Sequence, residues 1–348
     1  MIKAINTALC SFGASGWVFH APFVKINPGF NLYAVWERSK NLAEKKYPGI
    51  KTFRTLEEML ADDAIELVIV NTPNTTHYDY AKKALEANKH VVVEKPFTIT
   101  SAEGNELIEI AKKQNRKLSV YQNRRFDSDF KTIKKVLQQN LLGDVVEVEM
   151  HFDRFKQDLS PKMHKETPGP GTGSLYDLGS HLIDQALQLY GAPKRVFADI
   201  TAIRPISQVD DYFEVLMFYD GLRIRLHSSY AVREALPGYI FYGLKGSFIK
   251  SKTNIQEEML QAGETPDRND WGTEPASERG LLHTEINGKI VREYIESERG
   301  NYGEYYNGIY ESIRNNAPLP VTAEDGVKVV KVIEVAYKSN ELKKIVDF

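Results

Sequence analysis

The first third of the chain alternates short apolar runs with segments of helical spacing, and this alternation limits the fold more than any other feature. The run at 65–71 is almost continuously apolar, as in a strand covered on both faces. Strands that alternate with helices are typical of a parallel, doubly wound α/β sheet. We predict N-caps at Thr55 and Ser101. The predicted strands are 4–9, 30–36, 65–71, 90–94 and 118–121, and helices are predicted within 13–24, 55–61, 77–88 and 101–115.

The pattern changes after about residue 145. Apolar and polar residues alternate over 146–153, which predicts a strand with one exposed face. Asp220-Gly221 lies between two apolar runs and predicts a β-hairpin. We therefore predict two domains, a doubly wound parallel sheet in 1–123 and an α+β domain with an open, largely antiparallel mixed sheet in 124–348. Other predictions are strands at 195–203 and 239–249, a polar excursion at 254–290 and a helix at 325–342.

Composition excludes several classes of protein. The chain has 348 residues, with 45 Lys and Arg against 47 Asp and Glu. A net charge of −2 argues against a nucleic-acid binder that relies on a positive field. The single cysteine, Cys10, excludes an internal disulfide. No apolar stretch approaches the length of a membrane span, and the N-terminal residues do not resemble a signal peptide, so we expect a cytoplasmic protein with no membrane partner.

A glycine-containing loop, residues 11–16, follows the first predicted strand and precedes a helix. Such loops let the backbone approach the pyrophosphate of a dinucleotide, with the helix N-terminus facing it. Ser11 stands where the first glycine of the usual pattern would be, and a plain strand–helix turn is the alternative. The candidate cofactor contacts in this loop are Phe12, Gly13, Ser15 and Gly16.

Cofactor choice depends on residues 37–40, at the end of the second predicted strand. An acidic residue here usually binds the ribose 2′-hydroxyl of NAD, whereas basic or hydroxyl groups receive the 2′-phosphate of NADP. Glu37 favours NAD, and Arg38 and Ser39 favour NADP. The sequence leaves NAD and NADP both open, with NADP slightly favoured, and a solvated run of charges is the alternative.

The third motif is Glu94-Lys95-Pro96, at the carboxyl end of a predicted strand. Ligands of open α/β sheets bind at these strand ends, so Lys95 could reach both cofactor and substrate. Pro96 fixes the local backbone and could follow a cis peptide bond. A surface lysine beside a strand-ending proline is the alternative.

The fourth motif places Asp177, His181 and Asp184 four and three residues apart. On a helix they would share one face, and a histidine flanked by carboxylates suits acid–base chemistry. A buried helix with a satisfied histidine is the alternative. The motif lacks the further ligands of a metal centre, and no metal site is predicted. We assign no role to His90, His151, His227 or His283.

These four motifs and the turn at residues 72–77 resemble the glucose–fructose oxidoreductase, inositol dehydrogenase and rhizopine-catabolism family, Gfo/Idh/MocA. The resemblance covers essentially the whole chain. Residues 16–22 and 121–127 are similar to the branch that contains NADP-dependent scyllo-inositol dehydrogenase. The resemblance implies an N-terminal Rossmann domain that binds NAD(P), and a C-terminal sheet used for a homodimer or higher homo-oligomer.

The resemblance also implies a reaction, hydride transfer between nicotinamide and a secondary alcohol or ketone of a polyol, sugar or inositol-like substrate. The implied catalytic residues are Lys95, Asp177 and His181. His181 would act as the base, Lys95 would stabilise charge on the reacting oxygen, and Asp177 would orient substrate or the His181 ring. The reverse assignment, with Lys95 carrying the proton, stays open.

Binding residues are implied in the same way. Further cofactor contacts would be Thr72, Pro73, Asn74, His77, Glu94, Lys95 and Asn123, and substrate contacts would be Asn123, Arg124, Asp177, His181 and Trp271. Arg125 is a candidate for an interdomain salt bridge, and Trp271 is either a stacking lid residue or a tucked aromatic. The alternative functions are a non-catalytic dinucleotide-binding regulator, an NAD-dependent glycosidase, and an imine or enone reductase.

Overall fold

The computed structural model describes residues 3–348, except for the side chain of His164. By their internal contacts these residues form two compact units. The first unit contains residues up to Asn123, together with Gln256–Trp271 and Asn301–Val327. The second contains Arg124–Ile255, Gly272–Gly300 and Lys328–Phe348. The domain boundary that the sequence predicts after residue 123 stays a prediction. By their contacts, two segments from later in the chain are grouped with the first unit.

The first unit contains a six-stranded sheet in the order β3-β2-β1-β4-β5-β6. All its paired strands are parallel, which confirms the doubly wound sheet. The strand order reverses between β1 and β4, and ligands of such sheets bind outside the carboxyl ends of the strands at this point. The strands are β1 (Ile5–Leu9), β2 (Phe30–Trp36), β3 (Lys51–Phe53), β4 (Leu67–Val70), β5 (His90–Glu94) and β6 (Leu118–Tyr121).

The helices of the two units are α1 (Ala21–Ile26), α2 (Leu42–Lys46), α3 (Leu56–Leu60), α4 (His77–Glu86), α5 (Ser101–Lys113), α6 (Ser128–Gln138), α7 (Ser180–Tyr190), α8 (Ile255–Gln261), α9 (Gly303–Asn315) and α10 (Ala323–Leu342). Short 3-10 turns occur at Asn74–Thr76, Asn123–Phe126, Met163–Lys165 and Ala276–Glu278, and π-helical segments occur at Gly16–His20 and Leu175–Gly179. Of the helices in residues 3–348, none has the length and apolar character to cross a bilayer.

Capping explains where two helices begin. Thr55 accepts a hydrogen bond from the backbone of Glu58, which confirms Thr55 as the cap of α3. The prediction for α5 is wrong by one residue. Thr100 accepts from the backbone of Glu103, and the Glu103 side chain accepts from the Thr100 backbone, so Ser101 is already the first helical residue.

The second unit contains a nine-stranded sheet in the order β14-β13-β12-β11-β7-β10-β9-β8-β15. Only the β7–β10 pair is parallel among these strands, which confirms the largely antiparallel mixed sheet. The hairpin at Asp220-Gly221 is also confirmed, with Gly221 at a φ of 69°. The strands are β7 (Val145–His151), β8 (Arg195–Thr201), β9 (Tyr212–Phe218), β10 (Arg223–Ser229), β11 (Tyr239–Gly243), β12 (Gly246–Lys250), β13 (Gly280–Ile286), β14 (Lys289–Ile295) and β15 (Val346–Asp347).

Two predictions for this half are wrong. The strand predicted at 239–249 is the antiparallel pair β11 and β12, which turns at residues 244–245. The excursion predicted at 254–290 contains α8 and most of the hairpin β13–β14. β14 lies at the edge of the sheet with most of its side chains exposed, so it lacks the apolar alternation that identifies a strand.

One face of the nine-stranded sheet is buried. Val148 and Met150 of β7 belong to a hydrophobic cluster with Leu182 of α7 and with Val329 and Ile333 of α10. Side chains of successive strand residues point to opposite faces, so the intervening residues of β7 lie on the other face. This arrangement is the one that the alternation of apolar and polar residues in the sequence predicts.

Candidate active site

The glycine-containing loop joins β1 to the π-helical segment Gly16–His20. A Cβ atom on Gly16 would lie 2.3 Å from the carbonyl oxygen of Ser11 and 2.8 Å from Nδ2 of Asn71. A Cβ atom on Gly13 would meet only the Ser11 hydroxyl, at 3.4 Å. Gly16 is therefore the glycine that close backbone packing requires. π-helical turns are rare and occur frequently at functional sites.

Two buried amides in the first unit fit a bound dinucleotide. Asn71, just after β4, donates from Nδ2 to the Ser11 carbonyl at 2.8 Å, while its Oδ1 has no hydrogen-bond partner among the described residues. Gln122, just after β6, is 1% exposed, and neither atom of its amide has a partner within residues 3–348. Buried polar groups are normally satisfied. Both amides follow carboxyl ends of parallel strands, where a cofactor of this fold lies, so cofactor groups can satisfy them.

Glu94, at the end of β5, organises a chain of hydrogen bonds. Its Oε1 accepts from the Ser15 hydroxyl at 2.5 Å and lies 2.9 Å from His20 Nε2, while Oε2 accepts from the backbone N–H of Lys95 at 3.0 Å. His20 Nδ1 lies 2.6 Å from the Tyr306 hydroxyl. Burial opposes ionisation of Glu94, but hydrogen bonds from His20 and Ser15 lower its pKa to about 2. The carboxylate thereby ties the glycine loop to the backbone that carries Lys95.

The Lys95 side chain is half-buried, and the Lys95–Pro96 peptide bond is cis, as the sequence allowed. His77 fixes the neighbouring backbone, with Nδ1 2.8 Å from the Pro96 carbonyl and Nε2 2.9 Å from that of Thr72. Burial lowers the pKa of His77, and a neutral imidazole can donate to only one of these two oxygens. This geometry suits a residue that shapes the loop rather than one that exchanges protons.

Glu37 does not point its carboxylate outward. The side chain is buried and accepts from the backbone N–H groups of Leu42 at 3.1 Å and Ala43 at 3.0 Å, at the start of α2. Arg38 and Ser39, by contrast, are exposed. The guanidinium of Arg54, which sequence analysis did not consider, donates to the Glu37 carbonyl at 2.8 Å. Both oxygens of the residue that would favour NAD are therefore occupied by backbone donors.

The other predicted cofactor contacts have varied surroundings. Phe12 is buried edge-on against Tyr47, with ring centroids 6.0 Å apart. The hydroxyl of Thr72 lies 2.7 Å from that of Thr76, across the 3-10 turn that follows Pro73 and begins at Asn74. Asn123 is buried where the turn after β6 begins.

Asp177 and His181 belong to the second unit, on the π-helical segment and on α7 respectively. Both oxygens of Asp177 accept from Lys165 Nζ, each at 2.8 Å. Asp184 instead forms a bidentate pair with Arg125, at 2.8 and 2.6 Å. Arg125 and Asp184 lie in the same unit, so this ion pair does not join the two units, and an interdomain role for Arg125 stays a prediction.

Several positively charged groups of the second unit lie around the ring of Phe152. The guanidinium carbons of Arg124 and Arg154 lie 5.0 and 5.3 Å from its ring centre, and Lys252 Nζ lies at 4.7 Å. The ring of His181 is tilted against it, with centroids 6.4 Å apart. Two predicted substrate residues, Arg124 and His181, thus share one aromatic neighbour that the sequence did not single out.

Trp271 lies in the first unit and is only 1% exposed. Its indole N–H donates to Gln256 at 3.1 Å, and its ring meets Phe23 edge-on at 6.1 Å. This is the placement expected of a tucked aromatic. Contact of Trp271 with substrate stays a prediction that these contacts do not favour.

Comparison with known proteins agrees with the fold and the motifs. The family model described as the NAD-binding Rossmann fold of an oxidoreductase family, GFO_IDH_MocA, matches residues 5–122, and the C-terminal alpha/beta domain of that family matches residues 134–348. The chain belongs to the Gfo/Idh/MocA oxidoreductase family.

Relatives resemble this Gfo/Idh/MocA oxidoreductase over nearly its full length. The scyllo-inositol 2-dehydrogenase (NADP(+)) IolW of Bacillus subtilis is 37% identical over 345 residues, covering 99% of this chain and 96% of the relative. A crystal structure from Bacteroides fragilis is 46% identical, with a TM-score of 0.92 and coverage of 99% and 100% of the two chains. An oxidoreductase structure from Bacillus cereus is 32% identical, with a TM-score of 0.90 and 99% coverage of both.

Sequence analysis of this oxidoreductase missed a residue that holds the start of the π-helical segment on which Asp177 lies. Asp210 accepts from the Ser174 hydroxyl at 3.0 Å and the Leu175 backbone at 2.9 Å, at the start of the π-helical segment. Gly173, at a φ of 93°, leaves room for Asp210, because a Cβ atom there would lie 2.0 Å from its Oδ1. No local signal could identify Asp210, which is 35 positions from Leu175.

Acidification is expected to destabilise this oxidoreductase through protonation of Glu94. The folded pKa of about 2 is below the ordinary 4.5, so the stabilisation is complete above pH 4.5 and is lost as the pH falls toward 2. The loss amounts to about 1.4 kcal/mol per pH unit. Urea unfolding at pH 7, 5, 4 and 3 measures the free energy of unfolding of the unmodified chain and of Glu94→Gln. The difference between these two free energies should narrow only below about pH 4.5.

Glu109→Gln, at an exposed position of α5, is the matched control and should follow the unmodified chain. The expectation would be contradicted if the difference in free energy of unfolding between Glu94→Gln and the unmodified chain stayed constant from pH 7 to pH 3.

Proposed function

We propose that this oxidoreductase is an NADP-preferring dehydrogenase of polyols, sugars or inositol-like compounds, which exchanges a hydride between nicotinamide and a secondary alcohol or ketone. The observation that carries the cofactor preference is the engagement of Glu37 by the backbone of α2. The substrate class is supported by the name of the relative IolW, a scyllo-inositol 2-dehydrogenase (NADP(+)).

The preference for NADP follows from charge. A free carboxylate at the end of β2 would repel a 2′-phosphate and bind a ribose diol. In this chain the Glu37 oxygens already accept two backbone N–H groups, while Arg38 and Ser39 are exposed. An arginine can hold a phosphate through two parallel charge-assisted hydrogen bonds. Arg38 is therefore the proposed 2′-phosphate ligand.

The proposed chemistry assigns one task to each of three side chains. Bound NAD(P) supplies the acceptor or donor of the hydride. His181 removes the hydroxyl proton of the alcohol, since an imidazole with a pKa near 6.5 is a suitable base at neutral pH. Lys95 donates a hydrogen bond to the reacting oxygen and stabilises its developing negative charge. Asp177, held by both oxygens to Lys165, orients a substrate hydroxyl or the His181 ring.

Binding of the substrate is proposed to involve Asn123 and Arg124. The Arg124 guanidinium donates to Asn254 at 2.8 Å and to Asp127 at 3.2 Å, so its plane is fixed over Phe152. A fixed guanidinium offers directional donors to the hydroxyl groups of a polyol. Homo-oligomer assembly through the nine-stranded sheet and a cytoplasmic location complete the proposal, and sedimentation analysis tests the assembly.

The test of this proposal is a titration with both reduced cofactors followed by a substrate panel. NADPH should bind at least about tenfold more tightly than NADH, which corresponds to about 1.4 kcal/mol. Arg38→Ala should remove most of that difference, whereas Lys45→Ala, which removes an exposed positive charge from α2, should leave it unchanged. With the preferred oxidised cofactor, inositols and other polyols should give reduced cofactor, measured by absorbance.

Equal or tighter binding of NADH would contradict the cofactor preference. Cofactor binding without turnover of any polyol, sugar or inositol would instead favour the alternative function, a non-catalytic dinucleotide-binding regulator.

A further inference from the structure

A cluster of two histidines and one carboxylate lies on the nine-stranded sheet, outside the residues assigned to the reaction. His151 ends β7, and its register partner on the parallel strand β10 is His227. One donor atom each from His151, Asp153 and His227 lies within 4.8 Å of the others. We propose that these three residues bind a divalent transition-metal ion, with zinc as the representative case.

The distances within the cluster are close to those of a metal site. His227 Nδ1 lies 2.9 Å from Asp153 Oδ1, and His151 Nδ1 lies 3.4 Å from Asp153 Oδ2. A tetrahedral zinc ion with bonds of about 2.0–2.1 Å separates its ligand atoms by about 3.3 Å. Small side-chain rotations would therefore bring the three donors around one ion.

His151 faces Asp153 through Nδ1 at 3.4 Å without a well-aligned hydrogen bond. The residue is 6% exposed, yet its Nδ1 makes no hydrogen bond with any described residue. Its Nε2 lies 3.1 Å from Glu149 Oε2. When Nε2 carries the proton and donates it to Glu149, Nδ1 keeps its lone pair, which is the tautomer that a metal requires. Glu149 then has the place of the outer carboxylate that orients a metal-binding histidine.

The donor types favour a zinc-like ion over magnesium or calcium. Two imidazole nitrogens and one carboxylate suit zinc and its neighbours in the first transition row, whereas magnesium and calcium prefer oxygen ligands. Asp153 and Glu149 bring two negative charges to a dication. His151 and Asp153 also line a cavity of about 550 Å³, which gives an ion access and leaves room for a water molecule as fourth ligand.

The competing interpretation is that the cluster only ties two strands together. Asp153 Oδ1 already accepts from the Ser229 backbone at 3.0 Å as well as facing His227, so hydrogen bonds alone could hold it. Under that interpretation the cluster has no specific affinity for a metal. Metal binding by the apoprotein separates the two, independently of any turnover.

The experiment is a calorimetric titration of the untagged, chelator-treated full chain with Zn²⁺. One Zn²⁺ should bind per chain, and a tenfold excess of Mg²⁺ should not displace it. Asp153→Asn and His227→Gln should each weaken binding at least tenfold. His283→Ala is the matched control, since His283 is an exposed histidine of β13 outside the cluster, and it should bind as the unmodified chain does.

Circular dichroism establishes that each variant is folded. His227 is the most exposed of the three side chains, so its variant is the one expected to fold if Asp153→Asn does not. Visible absorption of bound Co²⁺ gives a second measurement, and its bands should disappear in His227→Gln. The proposal would be overturned if the unmodified chain failed to bind Zn²⁺ stoichiometrically, or if both cluster variants bound Zn²⁺ as tightly as the unmodified chain. The cluster would then serve only to connect the two strands.

Discussion

Lys95→Met is expected to turn over its best polyol at least about 100-fold more slowly than the unmodified chain, because a single preorganised donor to a developing oxyanion contributes about 10²–10³ in kcat. Methionine keeps an unbranched apolar stem while removing the charge and the donors. The backbone N–H of residue 95 still donates to Glu94 in the variant, since that hydrogen bond does not involve the side chain. Stopped-flow or steady-state absorbance of the cofactor measures the effect.

The control for this variant is Lys82→Met. Lys82 pairs with Glu106 on the surface at 2.8 Å, and exposed pairs of this kind contribute about 0–1 kcal/mol to stability. Its turnover should therefore equal that of the unmodified chain. Full activity of Lys95→Met would show that Lys95 does not take part in the proposed chemistry. This conclusion does not depend on whether the chain prefers NADP.

The residual activity of Lys95→Met also assigns the proton carrier. If His181 is the base, the variant retains the pH dependence of kcat/KM that the unmodified chain shows. If Lys95 carries the proton, that dependence disappears together with the turnover. The two assignments that the sequence left open thus give different pH profiles in one variant.

The central strands of the first unit's sheet could be predicted from the sequence because they are buried on both faces. β4 consists of leucine, valine and isoleucine, and β5 has three consecutive valines between His90 and Glu94. β3 was not predicted, since it is only three residues long and none of them is buried. The hairpin β13–β14 also escaped prediction. Its outer strand is largely exposed and carries charged residues, so burial imposes no alternation on it.

The candidate site was predictable in its motifs but not in its partners. The spacing of Asp177 and His181 predicts a shared α-helical face, yet a π-helical segment carries Asp177 and α7 begins only at Ser180. Lys165 and Asp210 approach the motif from other parts of the chain. The side-chain direction of Glu37 depends on two N–H groups of α2, which the order of residues does not reveal.

Gly16→Ala is expected to lower the melting temperature by several degrees and to weaken NADPH binding at least tenfold. The added Cβ would lie 2.3 Å from the Ser11 carbonyl oxygen. That oxygen cannot simply move away, because it accepts a hydrogen bond from Asn71 Nδ2 at 2.8 Å, and the same Cβ would lie 2.8 Å from Nδ2. Overpacking of this kind costs about 1–3 kcal/mol, and each kcal/mol shifts the melting temperature by about 2–4 °C in a domain of 150–250 residues.

Gly13→Ala in the same loop is the matched control. Its Cβ would make one ordinary contact within the protein, 3.4 Å from the Ser11 hydroxyl, so the melting temperature should stay close to that of the unmodified chain. Thermal unfolding of the two variants measures the difference in melting temperature. Since the two substitutions add the same methyl group three residues apart, equal behaviour would mean that the close approach of Ser11, Gly16 and Asn71 does not shape the loop.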